Sequence, residues 1–127
     1  MNPNPALNQL AERYVASWNE NDQIARRKIV DELWAEDGTY CNRLFVVSGR
    51  DMVDAIITTA HDEYFAKGFC FKSQNNASGN HNGVKFGWAL ITAATGEVDT
   101  LGEEFLVLND EGQITLDFQF GTRPPAI

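Results

Sequence analysis

Four runs of strand-forming residues fill the second half of the chain, and the connections between them leave few folds open. Residues 69–78, 84–92, 98–108 and 114–120 are rich in Val, Ile, Leu, Phe, Trp and Thr. They are separated by Asn80-His81-Asn82-Gly83, by a turn near Thr95-Gly96, and by Asn109-Asp110-Glu111-Gly112. Short Gly-containing connections join neighbouring antiparallel strands, because Gly and Asn tolerate the positive φ that tight hairpins need. The expected outcome is a four-stranded antiparallel meander.

The first half has a different period. Leu7, Leu10, Ala11, Tyr14 and Trp18 recur at helical spacing and make one apolar stripe. Asn4 can cap this helix, and Pro5 suits its first position. Asn19-Glu20-Asn21-Asp22 interrupts the pattern. Asp22 then caps a second helix that buries Ile24, Ile29, Val30, Leu33 and Trp34. Asp37-Gly38 is a turn, and residues 39–42 read as a short strand. Ser48-Gly49-Arg50-Asp51 resembles a capping box for a third helix, which presents Val53, Ile56, Ile57, Ala60 and Tyr64 on one side and stops at Gly68. Helices first and a meander afterwards indicate an α+β fold, not a parallel α/β sheet. A length of 127 residues suits one domain spanning 1–127.

Side chains alternate along each strand. One set of positions is apolar and aromatic: Phe86, Trp88, Leu90, Phe105, Val107, Leu116, Phe118 and Phe120. The other mixes small residues with carboxylates: Gly87, Ala89, Ile91, Thr100, Gly102, Glu104, Leu106, Thr115, Asp117 and Gln119. In one arrangement the aromatic set packs on the helices and the polar set meets water. In the other the polar set lines a concave pocket, with Gly87, Ala89 and Gly102 leaving room for a ligand. The aromatic set then needs a second copy to cover it, because so apolar a patch does not stay exposed on a monomer.

Charge and composition exclude several classes. A net charge of −8 repels a phosphate backbone, and the one basic cluster, Arg26-Arg27-Lys28, sits in a helical pattern with Asp31 and Glu32 beyond it. It reads as a solvated face, so no nucleic-acid partner is expected. No apolar run is long enough to span a membrane. Residues 1–5 lack the basic and apolar regions of a secretory signal, so a cytoplasmic location is expected. Cys41 and Cys70 form no CxxC pair and read as small buried thiols; no metal is expected.

At this point the order helix, helix, short strand, helix, meander resembles the nuclear-transport-factor-2-like fold, which includes the SnoaL-like polyketide cyclases and the ketosteroid isomerases. Arg13-Tyr14-Val15-Ala16, Leu33-Trp34-Ala35-Glu36-Asp37-Gly38-Thr39-Tyr40, Ser48-Gly49-Arg50-Asp51, Phe86-Gly87-Trp88 and Asp110-Glu111-Gly112-Gln113-Ile114 carry the likeness from about Leu7 to Gly121. It implies a cone-shaped, curved antiparallel sheet, made of the meander plus a short first strand, wrapped around three N-terminal helices. The fold hosts many chemistries and some non-enzymes.

The resemblance also implies roles. Tyr14 matches the isomerases' helix tyrosine, whose hydroxyl donates to a substrate carbonyl that becomes an enolate; the plainer reading is a core tyrosine. Glu104 stands eight residues before Gly112, where the isomerases have an Asp; buried and protonated, it is a second donor to the same oxygen. The isomerases' general base falls on Asn42, and an amide cannot serve as a base. Asn42 is left to orient a ligand, and the isomerase mechanism is not expected. SnoaL-like cyclases keep an acid on the last strand with a His nearby. Asp117 is the candidate acid or base, and His61, at the border of the third helix's stripe, its candidate partner. Gln119 shares the face of Asp117. Trp18, Trp34, Tyr40 and Ala89 are candidate ligand contacts, the three large rings equally readable as core.

Two functions stay open. One is cofactor-free proton-transfer chemistry (isomerisation, cyclisation or dehydration) on a small, largely apolar, carbonyl-bearing molecule. The other is a non-catalytic ligand-binding or dimerisation domain. A homodimer through Phe86, Trp88, Phe105, Phe118 and Phe120 is expected.

Overall fold

The computed structural model describes residues 5–121. Helix α1 (Pro5–Asn19) buries Ala11, Tyr14, Val15 and Trp18, the predicted stripe; its expected cap, Asn4, lies outside the described residues. Helix α2 (Gln23–Leu33) begins where expected, with Asp22 Oδ2 accepting the Ala25 N–H at 2.9 Å. Two expectations for this helix are corrected. Ile24 is 83% exposed. Arg26 is buried, because its guanidinium donates to the Glu20 carbonyl and to Thr58 Oγ1 (2.7 Å), which fastens α2 to the third helix.

Strands β1 (Trp34–Cys41) and β2 (Val46–Ser48) form a hairpin. Trp34 thus opens a strand and does not close the helix. The third helix, α3 (Arg50–Ala66), has no side-chain cap. Gly49 precedes it at φ +90°, a conformation that suits glycine. Ser48 lies in β2, with its hydroxyl 2.8 Å from Thr39 Oγ1, so the predicted capping box does not form.

The meander follows. The predicted first strand is two pieces, β3 (Phe69–Ser73) and β4 (Ser78–Asn80), and both pair with β5 (Gly83–Thr92). Strands β6 (Val98–Leu108) and β7 (Ile114–Gly121) complete it. The sheet order is β2-β1-β7-β6-β5-β3, with β4 also on β5. The sheet is mixed and not wholly antiparallel, because β1 runs parallel to β7. Those two strands lie at opposite ends of the sequence, so no hairpin dictates their direction. The sheet curves around the three helices as an α+β cone.

Register decides which residues share a face, and it corrects the phase expected for β5. Phe86 stands opposite Glu104, and Glu104 opposite Gln119. Trp88 stands opposite Gly102, and Leu106 opposite Asp117. Phe86, Trp88 and Leu90 therefore share the concave face with the acids of β6 and β7. Gly87 and Ala89 point to the convex side with Glu103, Phe105, Phe118 and Phe120. The cause is a bulge: Leu90 pairs with Thr100 and Ile91 with Val98, which leaves Asp99 as the extra residue. One inserted residue reverses the phase of a strand against its neighbour.

Gly102 has a different use from the expected one. A Cβ there would lie 2.2 Å from Trp88 Cζ2, so its missing side chain makes room for the indole, not for a ligand. Trp34, Val30, Ile57, Leu106 and Ile114 are almost fully buried in the main core. Cys41 and Cys70 are free and half-buried. No described helix is long and apolar enough to cross a membrane.

Candidate active site

Between the helices and the concave face lies a cavity of about 720 Å³. Its walls come from Trp18 of α1, Ile56, Ala60 and Tyr64 of α3, Phe71 of β3 and Leu90 of β5. Four of these wall and neighbouring rings interlock: Phe71 meets Trp18 at 5.9 Å, Tyr64 at 5.7 Å and Trp88 at 5.5 Å, each edge to face. Such packing gives a rigid apolar surface. Exposed lining residues, among them Arg43, Leu44, Phe45, Glu63 and Asp99, mark the mouth. The buried lining residues Tyr14, Tyr40, Trp88 and Glu104 mark the deep end.

The deep end holds a linked set of polar groups. Tyr14 Oη lies 2.5 Å from Asp117 Oδ2 and 3.0 Å from Glu104 Oε1. Trp88 Nε1–H donates to Glu104 Oε2 at 2.7 Å. Tyr40 donates to Gln119 Oε1. Glu104 and Asp117 are 1% and 0% exposed, so water cannot stabilise two negative charges there. Burial, and then the charge of Asp117, holds the Glu104 carboxyl well above the usual carboxylate range. Burial raises Asp117 to about 6, against hydrogen bonds from Glu104 and Tyr14 that lower it. Burial, then Asp117 and Glu104, also raises the Tyr14 phenol.

Proton counting gives the direction of each bond. A phenol has one proton to donate. The shorter contact, to Asp117, fits an O–H donated to an ionised oxygen, which is typically about 2.5–2.7 Å. The Tyr14 proton is therefore committed to Asp117, and Glu104 is the protonated partner. Glu104 Oε2 accepts from Trp88, which leaves its acidic proton on Oε1, on the side of Tyr14 and Asp117. Two corrections follow. Tyr14 has no proton left for a ligand while Asp117 is ionised. Asp117 does not line the cavity, and its Oδ1 is buried without a hydrogen-bond partner. Of the two buried acids, Glu104 is the one that lines the cavity, where the buried Trp18 Nε1–H also lacks a partner. Gln119 adds a donor: with Oε1 taken by Tyr40, its NH2 group is the free end of the amide.

Other candidates are placed as follows. Trp18, Tyr40, Asn42 and Gln119 line the cavity. Asn42 Oδ1 accepts from the N–H groups of Leu44 (2.9 Å) and Phe45 (3.0 Å), so it builds the β1–β2 loop. Its amide also faces Tyr40, which counteracts the rise in that phenol caused by burial and the two acids. Trp34 is core and does not line the cavity. Ala89 is on the convex side. His61 is buried on the opposite flank of α3, with Nε2 3.0 Å from Asn21 Oδ1 and its ring stacked on Phe65 at 4.3 Å. It ties α3 to the α1–α2 turn and is absent from the cavity lining. Glu104, not Glu103, points inward; Glu103 faces Lys85 at 3.7 Å. Sequence reasoning missed Trp88 as the partner of Glu104. Gly102, a glycine inside a strand, was the available sign of a close approach. Among the described residues no group of three or more His, Cys, Asp or Glu is arranged to hold a metal ion.

A SnoaL-like family protein from Agrobacterium tumefaciens, which carries a provisional isomerase assignment, is 30% identical to this chain. It matches with a TM-score of 0.82, over 91% of this chain and 96% of its own. The chain belongs to the SnoaL-like family. Two more distant structures share the fold of this SnoaL-like protein at 12% identity. One is a SnoaL-like protein of unknown function from Burkholderia thailandensis, with a TM-score of 0.71 over 97% of this chain and all of its own. The other is a provisional polyketide cyclase from Sinorhizobium meliloti, with a TM-score of 0.67 over 87% and 93%. No protein-family model matches the SnoaL-like chain, and no curated protein does.

Proposed function

We propose that this SnoaL-like protein binds a small, largely apolar, carbonyl-bearing molecule and moves a proton on it without a cofactor. The observation that carries this reading is the buried Glu104 carboxyl at the deep end of an apolar cavity, held by Trp88 and by the Tyr14–Asp117 pair, where burial and Asp117 raise its pKa. An acid that stays protonated near neutral pH can turn its proton from Tyr14 to a ligand oxygen as charge develops there, while solvent water entering by the mouth takes the C–H proton beside the carbonyl and later returns one to carbon. Gln119 would donate to the same oxygen. Asp117 and Tyr14 act behind Glu104 and do not touch the ligand through a free proton. The isomerase assignment of the Agrobacterium relative and the cyclase assignment of the Sinorhizobium structure are compatible with this chemistry.

Exchange of ligand C–H protons tests it. A panel of cyclic and aryl ketones is incubated with the protein in deuterium oxide and followed by proton NMR. Protein-dependent exchange beside the carbonyl that is lost in Glu104→Gln is the expected result. Exchange unchanged in Glu104→Gln would remove Glu104 from the chemistry. The second reading is a ligand-binding domain without turnover. It is favoured by Asn42, where the isomerases of this fold have their base and where the amide oxygen here is bound into a loop.

We also propose a homodimer through the convex face, in a corrected form. Phe86 and Trp88 leave the set, because they are buried on the concave side. Phe105 and Phe118, paired across β6 and β7, and Phe120 remain, at 39%, 37% and 56% exposed. Rings grouped in this way favour a self-complementary two-fold contact.

A further inference from the structure

The cavity mouth carries a charge that the rest of the protein leaves unused. Of the described arginines, Arg13 pairs with Glu32, Arg26 binds the Glu20 carbonyl and Thr58, Arg27 pairs with Asp31 and Asp51, and Arg50 donates to the Trp34 carbonyl. Arg43 has no such partner among the described residues, although acids outnumber bases 18 to 10 in the sequence. It lines the mouth.

Its position is built. Arg43 sits inside the four-residue connection between β1 and β2. Asn42 N–H donates to the Phe45 carbonyl at 3.0 Å, and Asn42 Oδ1 accepts from Leu44 and Phe45. These bonds close the loop on both sides of Arg43 and hold its backbone at the rim. Phe45 anchors the same loop, with its ring 6.1 Å from that of Tyr40. Neither acid at the rim pairs with Arg43. Glu63 pairs with Lys67 at 3.3 Å, and Asp99 accepts from Thr100 Oγ1 at 2.7 Å. The deep end offers a neutral acid, the walls are apolar, and the mouth presents one uncommitted guanidinium.

We infer that the ligand is an amphipathic acid, with its carbonyl oxygen at Glu104 and a carboxylate or similar planar anion at the mouth on Arg43. This rests on the function proposed above and names the ligand class for that cavity. A guanidinium matches a carboxylate with two parallel N–H···O bonds, which a neutral amide cannot replace. The apolar walls cover the ligand's middle, so the charged end is the one left at the opening. Keto acids and acyl-substituted aromatic acids have this layout.

The test uses a matched pair of probes, an acetylnaphthoate and the corresponding acetylnaphthamide, titrated calorimetrically into the intact chain and into Arg43→Gln and Arg43→Lys. The acid is expected to bind about tenfold more tightly than the amide at low salt, as a charge-assisted pair at a partly dry rim would give. Arg43→Gln should erase that preference, chiefly by weakening binding of the acid. Arg43→Lys should retain part of it, and added salt should shrink it. Equal binding of acid and amide to the unaltered chain would overturn the anion subsite while leaving the cavity reading intact. Binding of neither probe would overturn both. An acid preference that survives in Arg43→Gln would place the anion elsewhere and overturn the assignment to Arg43.

Discussion

Replacing Asp117 with Asn should make the protein more stable at neutral pH, and the size of the gain follows from the site. Asp117 is fully buried, and its carboxyl rises from an ordinary 3.8 to about 6 on folding. Its folded-state pKa lies above its unfolded value, so the folded state holds the proton more tightly. The stability this group allows is fully present below about pH 4 and is lost as pH rises through about 6. A shift of about 2 pH units corresponds to about 3 kcal/mol. Asn retains an oxygen for the Tyr14 hydroxyl and carries no charge. Above about pH 6, Asp117→Asn should therefore gain about 3 kcal/mol relative to its difference from the parent at about pH 4. On a domain of this size that is roughly 10 °C in melting temperature. Calorimetric melting of both proteins between about pH 4 and 8 measures the difference, in which the ionisation of the surface acids cancels. Parallel melting curves across that range would refute the reasoning. They would mean that burial does not hold Asp117 against ionisation, and the electrostatic coupling to Glu104 would lose its basis.

Three further outcomes follow. Gly102→Ala should displace the Trp88 indole, since the new Cβ would lie 2.2 Å from it, and cost about 1–3 kcal/mol by overpacking; denaturant melts and a shifted tryptophan emission report it. His61→Ala should lower stability by about 1–2 kcal/mol through the lost contacts to Asn21 and Phe65, yet leave probe affinity unchanged, because His61 is outside the cavity. Phe118→Glu should convert a sedimenting dimer to a monomer of unchanged circular dichroism; a parent chain that sediments as a monomer at all concentrations would refute the convex-face contact.

Much of the architecture was legible because local rules governed it. The α1 stripe fixed the inward direction of Tyr14, and Asp22 marked the start of α2. Alternation within β6 and β7 put Glu104, Asp117 and Gln119 on one face. What failed depended on relations between segments. The bulge at Asp99 reverses β5 against β6, and nothing in the alternation of β5 itself reveals that, so alternation alone puts Trp88 on the wrong side. The parallel pairing of β1 with β7 joins distant parts of the chain. His61 lies one turn beyond Ile57 on α3, at the edge of the apolar stripe, and contact with Asn21 decided which way it faces. Asn42 was recognised as an amide where a base would stand, but its use as a loop-builder required the backbone of residues 44 and 45. The roles within the acid cluster changed for a chemical reason: Tyr14 has one proton, and a contact of 2.5 Å to Asp117 takes it.

The ionisation state of Glu104 tests the account most directly. With carbon-labelled glutamate, the Glu104 carboxyl resonance can be assigned as the one lost in Glu104→Gln and followed through a pH titration. It should stay at the protonated position at neutral pH and move to lower pH in Asp117→Asn. A Glu104 carboxyl that titrates at the value of a free glutamate side chain, about 4, would contradict the account.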